Sequence, residues 1–208
     1  MHKTSTKEYR GRWIELIHQL QDTICQKLEE VDGKAKFVQD EWQRVEGKGG
    51  GGLTKIIQNG NVFEKGGVNI SVVYGEVTDK MRKFMNLEGE TWFACGISSV
   101  LHPANPFVPT IHFNYRMFEL YNDKEEVSDR WFGGGTDLTP YYLFEEDAKH
   151  FHQAYKNVCD EFDDDFYPLF KKNCDEYFTN KHRNNETRGI GGIFYDHQRP
   201  DEKHDAEF

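Results

Sequence analysis

The sequence predicts an α+β fold built on an antiparallel β-sheet. Strand-like runs precede the strongest late helical patterns, without the regular strand–helix alternation that builds parallel sheets. One run alternates by two over 110–118, as a half-buried strand does. A length of 208 residues with 37% hydrophobic and 14% aromatic side chains bounds one sizeable core, so 1–208 is expected to be a single domain or part of one.

A helix is predicted from Trp13 to Glu30, where Ile14, Ile17, Ile24 and Leu28, flanked by Trp13, Leu16 and Leu20, recur at helical spacing, and Gly33 ends it. Phe37–Glu46 is charged and aromatic-bearing. The run Gly47–Gly52, five glycines in six positions, is expected to break regular structure, as a linker or as a loop over a ligand. Leu53–Gln58 and Val68–Tyr74, separated by turn signals at Asn59-Gly60-Asn61 and Gly66-Gly67, read as a hairpin or adjacent antiparallel strands. Phe93–Leu101 and Thr110–Leu120 are further strands; the second sets Ile111, Phe113 and Tyr115 against His112, Asn114 and Arg116. After the turn-rich Asn122–Ser128, Trp131–Pro140 reads as a strand edge breaking into a glycine loop. From Phe144 the series Ala148, Phe151, Tyr155, Val158 and Phe162 predicts an amphipathic helix, with Glu145, Glu146 and Asp147 at its positive end. Pro168 starts another through Phe170, Cys174 and Tyr177, and Arg188–Asp196 reads as a strand entered through glycines, followed by the charged run Arg199–Glu207.

A formal net charge of −10 argues against a general nucleic-acid or anionic-membrane binder, so an anionic ligand must meet a local basic pocket. Cys25, Cys95, Cys159 and Cys174 stand far apart, with neither disulfide-scaffold nor zinc-ribbon spacing, as reduced thiols of a cytosolic protein do. The first residues lack the apolar core of a signal peptide, and no stretch approaches the roughly 20 apolar residues of a membrane span. A cytoplasmic protein without an integral membrane segment is expected.

His112, Asn114 and Arg116, at i, i+2 and i+4 of a strand, project on one side of a sheet. That pattern alone fits a solvated outer face as well as a site. Its flanks favour a site: His102-Pro103-x-Asn105-Pro106 precedes it in a proline-braced turn, and Gly133–Gly135 with Asp137 follows. His102, His112, His152 and His182 are candidates for a metal or for acid–base work, although none forms a local two-histidine motif. Neither glycine run has the ending of a phosphate-binding loop, and no nucleophile elbow is present. The residues themselves thus lead to an α+β domain with a His/Asn/Arg/Asp pocket suited to an anion.

The stretches GGGGLTKIIQNGNVFEKGGVNIS, GISSVLHPANPFVPTIHFNYR, WFGGGTDLTPYYLFEEDAKHFH, YPLFKKNCDEYF, KHR and RGIGGIFYD resemble, in order, the blocks of the oxygen-dependent coproporphyrinogen III oxidases. The resemblance implies a large antiparallel sheet flanked by helices on both faces, a homodimer, and an oxidoreductase of heme biosynthesis. Its reaction is oxidative decarboxylation of two propionates of coproporphyrinogen III to vinyl groups, giving protoporphyrinogen IX, CO2 and H2O2. It implies O2 as co-substrate, no organic cofactor, and no nucleic-acid partner. By motif, His112 resembles a proton donor, Asp137 an acid facing the pocket, and Ser98, Asn114 and Arg116 substrate contacts. His102, His112, His152 and His182 match histidines assigned to a divalent metal in some members, while other members are regarded as metal-free. The family also has a later block resembling GRYxEFN and RGTxFGL, which this sequence does not contain; with it go further substrate contacts and much of the dimer interface. A binding-only protein is therefore the alternative expectation, and a histidine-ligated metal oxygenase a third.

Overall fold

The computed structural model describes residues 6–46, 49–85 and 88–200. Lys48, Gly47 and the charged run beyond residue 200 lie outside them. Among the described residues nine strands form in chain order: β1 (Val38–Gln43), β2 (Gly49–Gln58), β3 (Phe63–Glu76), β4 (Thr91–Pro103), β5 (Thr110–Tyr121), β6 (Val127–Thr139), β7 (Thr179–Asn180), β8 (Glu186–Thr187) and β9 (Gly192–Gln198). Four helices accompany them: α1 (Thr6–Asp32), α2 (Asp79–Met85), α3 (Glu145–Asp160) and α4 (Phe166–Tyr177). Strands β1 to β6 and then β9 make one antiparallel seven-stranded sheet in that order, while β7 and β8 pair as a small separate hairpin. The α+β expectation therefore holds, as a meander whose near-sequential pairing follows from short turns.

Hydrophobic residues of alternate parity make the core face. Ile17 and Cys25 of α1 pack on Val68, Ile70, Phe93, Cys95, Ile97 and Met117. Farther along the same face, Cys159 of α3 and Phe166 and Phe170 of α4 pack on Ile193 and Tyr195. The short α2 lies against the end of the opposite face, with Met81 packed near Val77, Leu120 and Trp131. Helices thus flank both faces, but unevenly, and most of the second face is left to the site described below.

Helix α1 extends beyond its expected start, and Gly33 terminates it with φ 71°, a conformation that only glycine adopts without strain. Its buried stripe differs from the apolar pattern, because Leu16 and Leu20 are exposed while Gln21 is fully buried. The Gln21 amide donates to the carbonyl oxygens of Leu53 and Val68, both at 2.8 Å, and so ties α1 across β2 and β3. Asp32 closes the same end by accepting from the amides of Ala35, Val62 and Phe63 at 2.8, 3.0 and 3.1 Å. On α3, the expected Val158 and Phe162 stripe is also exposed; Phe151 and Cys159 are the buried positions, because α4 approaches one side of the helix.

Both glycine runs prove to be strand rather than loop. Gly49–Gly52 pairs with Ser71–Tyr74 in β2, and a Cβ at Gly52 would lie 2.3 Å from the Ile70 oxygen and 2.5 Å from the Trp42 ring. Gly133–Gly135 sits in the middle of β6, where a Cβ at Gly134 would come 2.5 Å from the Tyr115 ring. Glycine there makes room for large cross-strand neighbours, a role that sequence composition alone does not separate from a loop signal.

Candidate active site

Antiparallel pairing puts partner residues on the same face, so register assembles the site. Val100 pairs with His112 and His112 with Asp137; Ser98 pairs with Asn114 and Asn114 with Gly135; Gly96 pairs with Arg116 and Arg116 with Gly133. Farther out, Asn69 opposes Ser98 and Ser71 opposes Gly96. Ser98, His112, Asn114, Arg116 and Asp137 therefore share the face that α1, α3 and α4 do not cover. Apart from Val100, polar and glycine residues fill these rows.

Asp137 is only 2% exposed. Arg188, on the loop entering β9, grips it with two bonds: Nε to Oδ2 at 2.9 Å and a terminal nitrogen to Oδ1 at 2.5 Å. His112 Nδ1 lies 3.3 Å from Oδ2, close enough for charge pairing but without hydrogen-bond alignment. Burial pushes the Asp137 carboxyl up, but His112 and the Arg188 guanidinium more than offset it and hold the group below the usual carboxylate range. The same loop is fastened by main-chain bonds from Ile190 N to Leu138 O and from Leu138 N to Gly191 O. Gly189 and Gly191, at φ 56° and 70°, permit that close turn.

Arg116 donates to Asn114 Oδ1 at 3.0 Å and to Asp196 Oδ2 at 2.9 Å. The Arg188 guanidinium carbon stands 3.9 Å over the Phe178 ring, a cation–π contact, and Tyr177 stacks on Phe194 at 4.1 Å. The end of α4 thus wraps the edge strand β9 and walls one side of a recess of about 250 Å³ lined by His112, Asn114, Arg116, Asp137, Arg188 and Phe194. It is smaller than the roughly 300–1,000 Å³ that enclose a drug-sized ligand. Only part of a large molecule fits within it.

The four histidines do not converge. His102 and His112 are neighbours, with ring centroids 6.4 Å apart. His152 faces the helical layer, between the Ile190 carbonyl oxygen at 3.1 Å and the Tyr167 hydroxyl at 3.0 Å, and burial, with Lys171 nearby, lowers its pKa. His182 lies on the 3-10 turn Lys181–Arg183, at a depression of about 600 Å³. Among the described residues no three His, Cys, Asp or Glu side chains are placed to hold a metal ion, so the arrangement does not fit a four-histidine centre.

Asp196, Tyr177, Phe178 and Phe194 are not marked as site residues by local sequence, although a signal exists for two of them. In β9, Gly192, Phe194 and Asp196 share parity, and the register aligns Gly192 with Asp137 and Phe194 with Gly135. No helix of the described residues is long and apolar enough to cross a membrane.

The family model for coproporphyrinogen III oxidase matches residues 12–208. Among curated relatives, the oxygen-dependent coproporphyrinogen-III oxidase of Drosophila melanogaster is 54% identical over 196 residues, covering 90% of this chain and 49% of that protein. The chloroplastic enzyme of Glycine max is 51% identical over 202 residues, covering 92% of this chain and 52% of the relative. That of Prochlorococcus marinus (strain NATL1A) is 49% identical over 191 residues, with 91% and 52% covered. The chain spans about half the length of the curated relatives it matches. With these likenesses added to the sheet and the site it carries, the chain belongs to the coproporphyrinogen III oxidase family.

Proposed function

We propose that the protein acts on coproporphyrinogen III as an oxygen-dependent oxidoreductase of heme biosynthesis, through the polar face of the sheet. One observation carries this reading: Arg116 and Arg188 flank a single recess together with His112, Asn114 and Asp137, two guanidinium groups where a multiply carboxylated ring needs anchors. The names of the relatives supply the substrate and the oxidant. For each of two propionates the overall step is R–CH2CH2–COO⁻ + O2 + H⁺ → R–CH=CH2 + CO2 + H2O2, and it ends at protoporphyrinogen IX. The porphyrinogen supplies the two electrons and O2 accepts them.

In this reading Arg116 and Asn114 orient one propionate, and Ser98 contacts the ring from the next row. Pyrrole N–H groups share the Asp137 carboxylate with Arg188, since each carboxylate oxygen has a second lone pair. Asp137 also keeps a counter-charge beside His112, which delivers the proton consumed on the left-hand side of the balance to reduced oxygen. The pocket positions and charges; the substrate reacts. No step requires an organic cofactor. A homodimer in the cytoplasm completes the proposal, supported by family resemblance and by the unpaired outer edge of β1, whose Val38 is exposed.

A second reading has its own support: the recess is small, which fits a protein that holds part of the porphyrinogen without turning it over. Purified protein with coproporphyrinogen III, assayed with and without O2 and with and without chelator, separates the readings. Oxygen-dependent CO2 and protoporphyrin in both chelator conditions support the oxidase. Saturable binding with no CO2 favours the binding protein, and product lost to chelator and restored by one metal favours the metal oxygenase.

A further inference from the structure

Arg116 is unusual in its setting, for both of its cross-strand partners are glycine: Gly96 on β4 and Gly133 on β6. Bare backbone on either side leaves the long side chain unhindered across the sheet. A Cβ at Gly133 would stand 2.5 Å from Asp196 Oδ1 and 2.9 Å from an Arg116 nitrogen, so the ion pair occupies the space that a side chain there would fill. The sheet is also built to deliver the carboxylate. Between β6 and β9 the register slips, Gly134 pairing with Tyr195 but Phe132 with Gln198, and His197 takes φ 54° in the bulge. Within that bulge Asp196 Oδ1 accepts from the His197 amide at 2.9 Å while Oδ2 meets Arg116. Both partners are about one-third exposed, so the contact is reachable from solvent.

We propose that Asp196 is an internal stand-in for a substrate carboxylate, holding the Arg116 guanidinium extended until a propionate displaces it. This rests on the function proposed above and names a residue that tunes substrate affinity at its arginine. A neutral ligand has no group to take the place of Asp196 on Arg116, whereas a carboxylate replaces the lost bonds in kind; Asp196 thereby competes with the acid ligand alone and lowers its affinity. The partly exposed pair is weak enough to exchange, because ion pairs of this kind contribute little net stability in water.

The test uses equilibrium fluorescence titration of the 208-residue chain with coproporphyrin III and with its tetramethyl ester, at low ionic strength. Asp196→Asn, which keeps shape and an acceptor while removing the charge, is expected to tighten binding of the tetra-acid about two- to five-fold, the order of one exposed ion pair. Ester binding stays unchanged, and the gain disappears in the Asp196→Asn/Arg116→Gln double variant. Asp196→Ser gives the same direction if the asparagine variant folds poorly. Unchanged or weaker acid binding by both Asp196 variants, with the wild type binding normally, overturns the stand-in role alone. A wild type that binds neither porphyrin overturns the functional reading beneath it as well.

Discussion

Replacing Asp137 by asparagine removes one charge from the centre of the site while keeping its volume. Arg188 then keeps at most one good acceptor, and its guanidinium loses the counter-charge. Breaking a fully buried pair costs about 3–5 kcal/mol, because an uncompensated charge remains. Here Asp137 is buried but the Arg188 side chain is 39% exposed, so water takes over part of the solvation and the expected loss falls to about 2 kcal/mol. For a chain of this size that lowers the melting temperature by about 4–8 °C. Acid should erase the difference. The Asp137 carboxyl titrates below its usual value in the folded state, so its contribution is complete above the unfolded value near pH 4 and declines as pH falls through the folded one. Urea unfolding of wild type and Asp137→Asn at pH 7 and at pH 3 measures both effects. A loss under about 0.5 kcal/mol at pH 7, or a gap that widens in acid, would refute the claim that this pair fastens the 188–191 loop to β6.

Three further outcomes follow from the scaffold. Asp32→Asn should destabilise the protein at neutral pH but little in strong acid, because the amide of Ala35, with those of Val62, Phe63 and Asn61, holds the Asp32 carboxyl far below its usual range; melting curves across that pH span test it. Gly52→Ala should cost about 2–3 kcal/mol in chemical denaturation, since its Cβ would press on the Ile70 oxygen and the Trp42 ring. All four thiols should resist a thiol-specific reagent at pH 8 in the folded protein and react together in denaturant, for burial pushes Cys25, Cys159 and Cys174 to about 11 and Cys95 to about 12.

The sheet was legible in the sequence wherever alternation was strong. The 110–120 strand and its polar face emerged with their side-chain directions, and register then placed Ser98 and Asp137 beside them. What composition obscured were positions where glycine serves a neighbour. Gly52 accommodates the Trp42 ring and Gly134 accommodates Tyr115, so both runs read as loops although they are strands. Gln21 was equally hidden, because a buried amide facing two strand carbonyls looks like a polar interruption of an apolar helix stripe. Asp196, and the pairing of Arg188 with Asp137, illustrate a third cause: the partners lie 80 and 51 residues apart in the chain, beyond the reach of local pattern. The four histidines were grouped by the resemblance and not by their spacing; in the fold α3 turns His152 toward Tyr167, and His182 lies on the turn at 181–183, apart from the neighbours His102 and His112.

On the proposed function a carboxylated porphyrinogen binds on the polar sheet face rather than on the helical side, where Tyr9, Arg12, Trp13 and Phe132 line a cleft of about 560 Å³. Anaerobic titration of coproporphyrinogen III against wild type, Arg188→Gln and Arg12→Gln decides between the faces, with unfolding curves confirming that each variant is folded. The account predicts binding at least about tenfold weaker for Arg188→Gln, the order of one charge-assisted contact, and unchanged binding for Arg12→Gln. Weakened binding in Arg12→Gln with Arg188→Gln unaffected would contradict it.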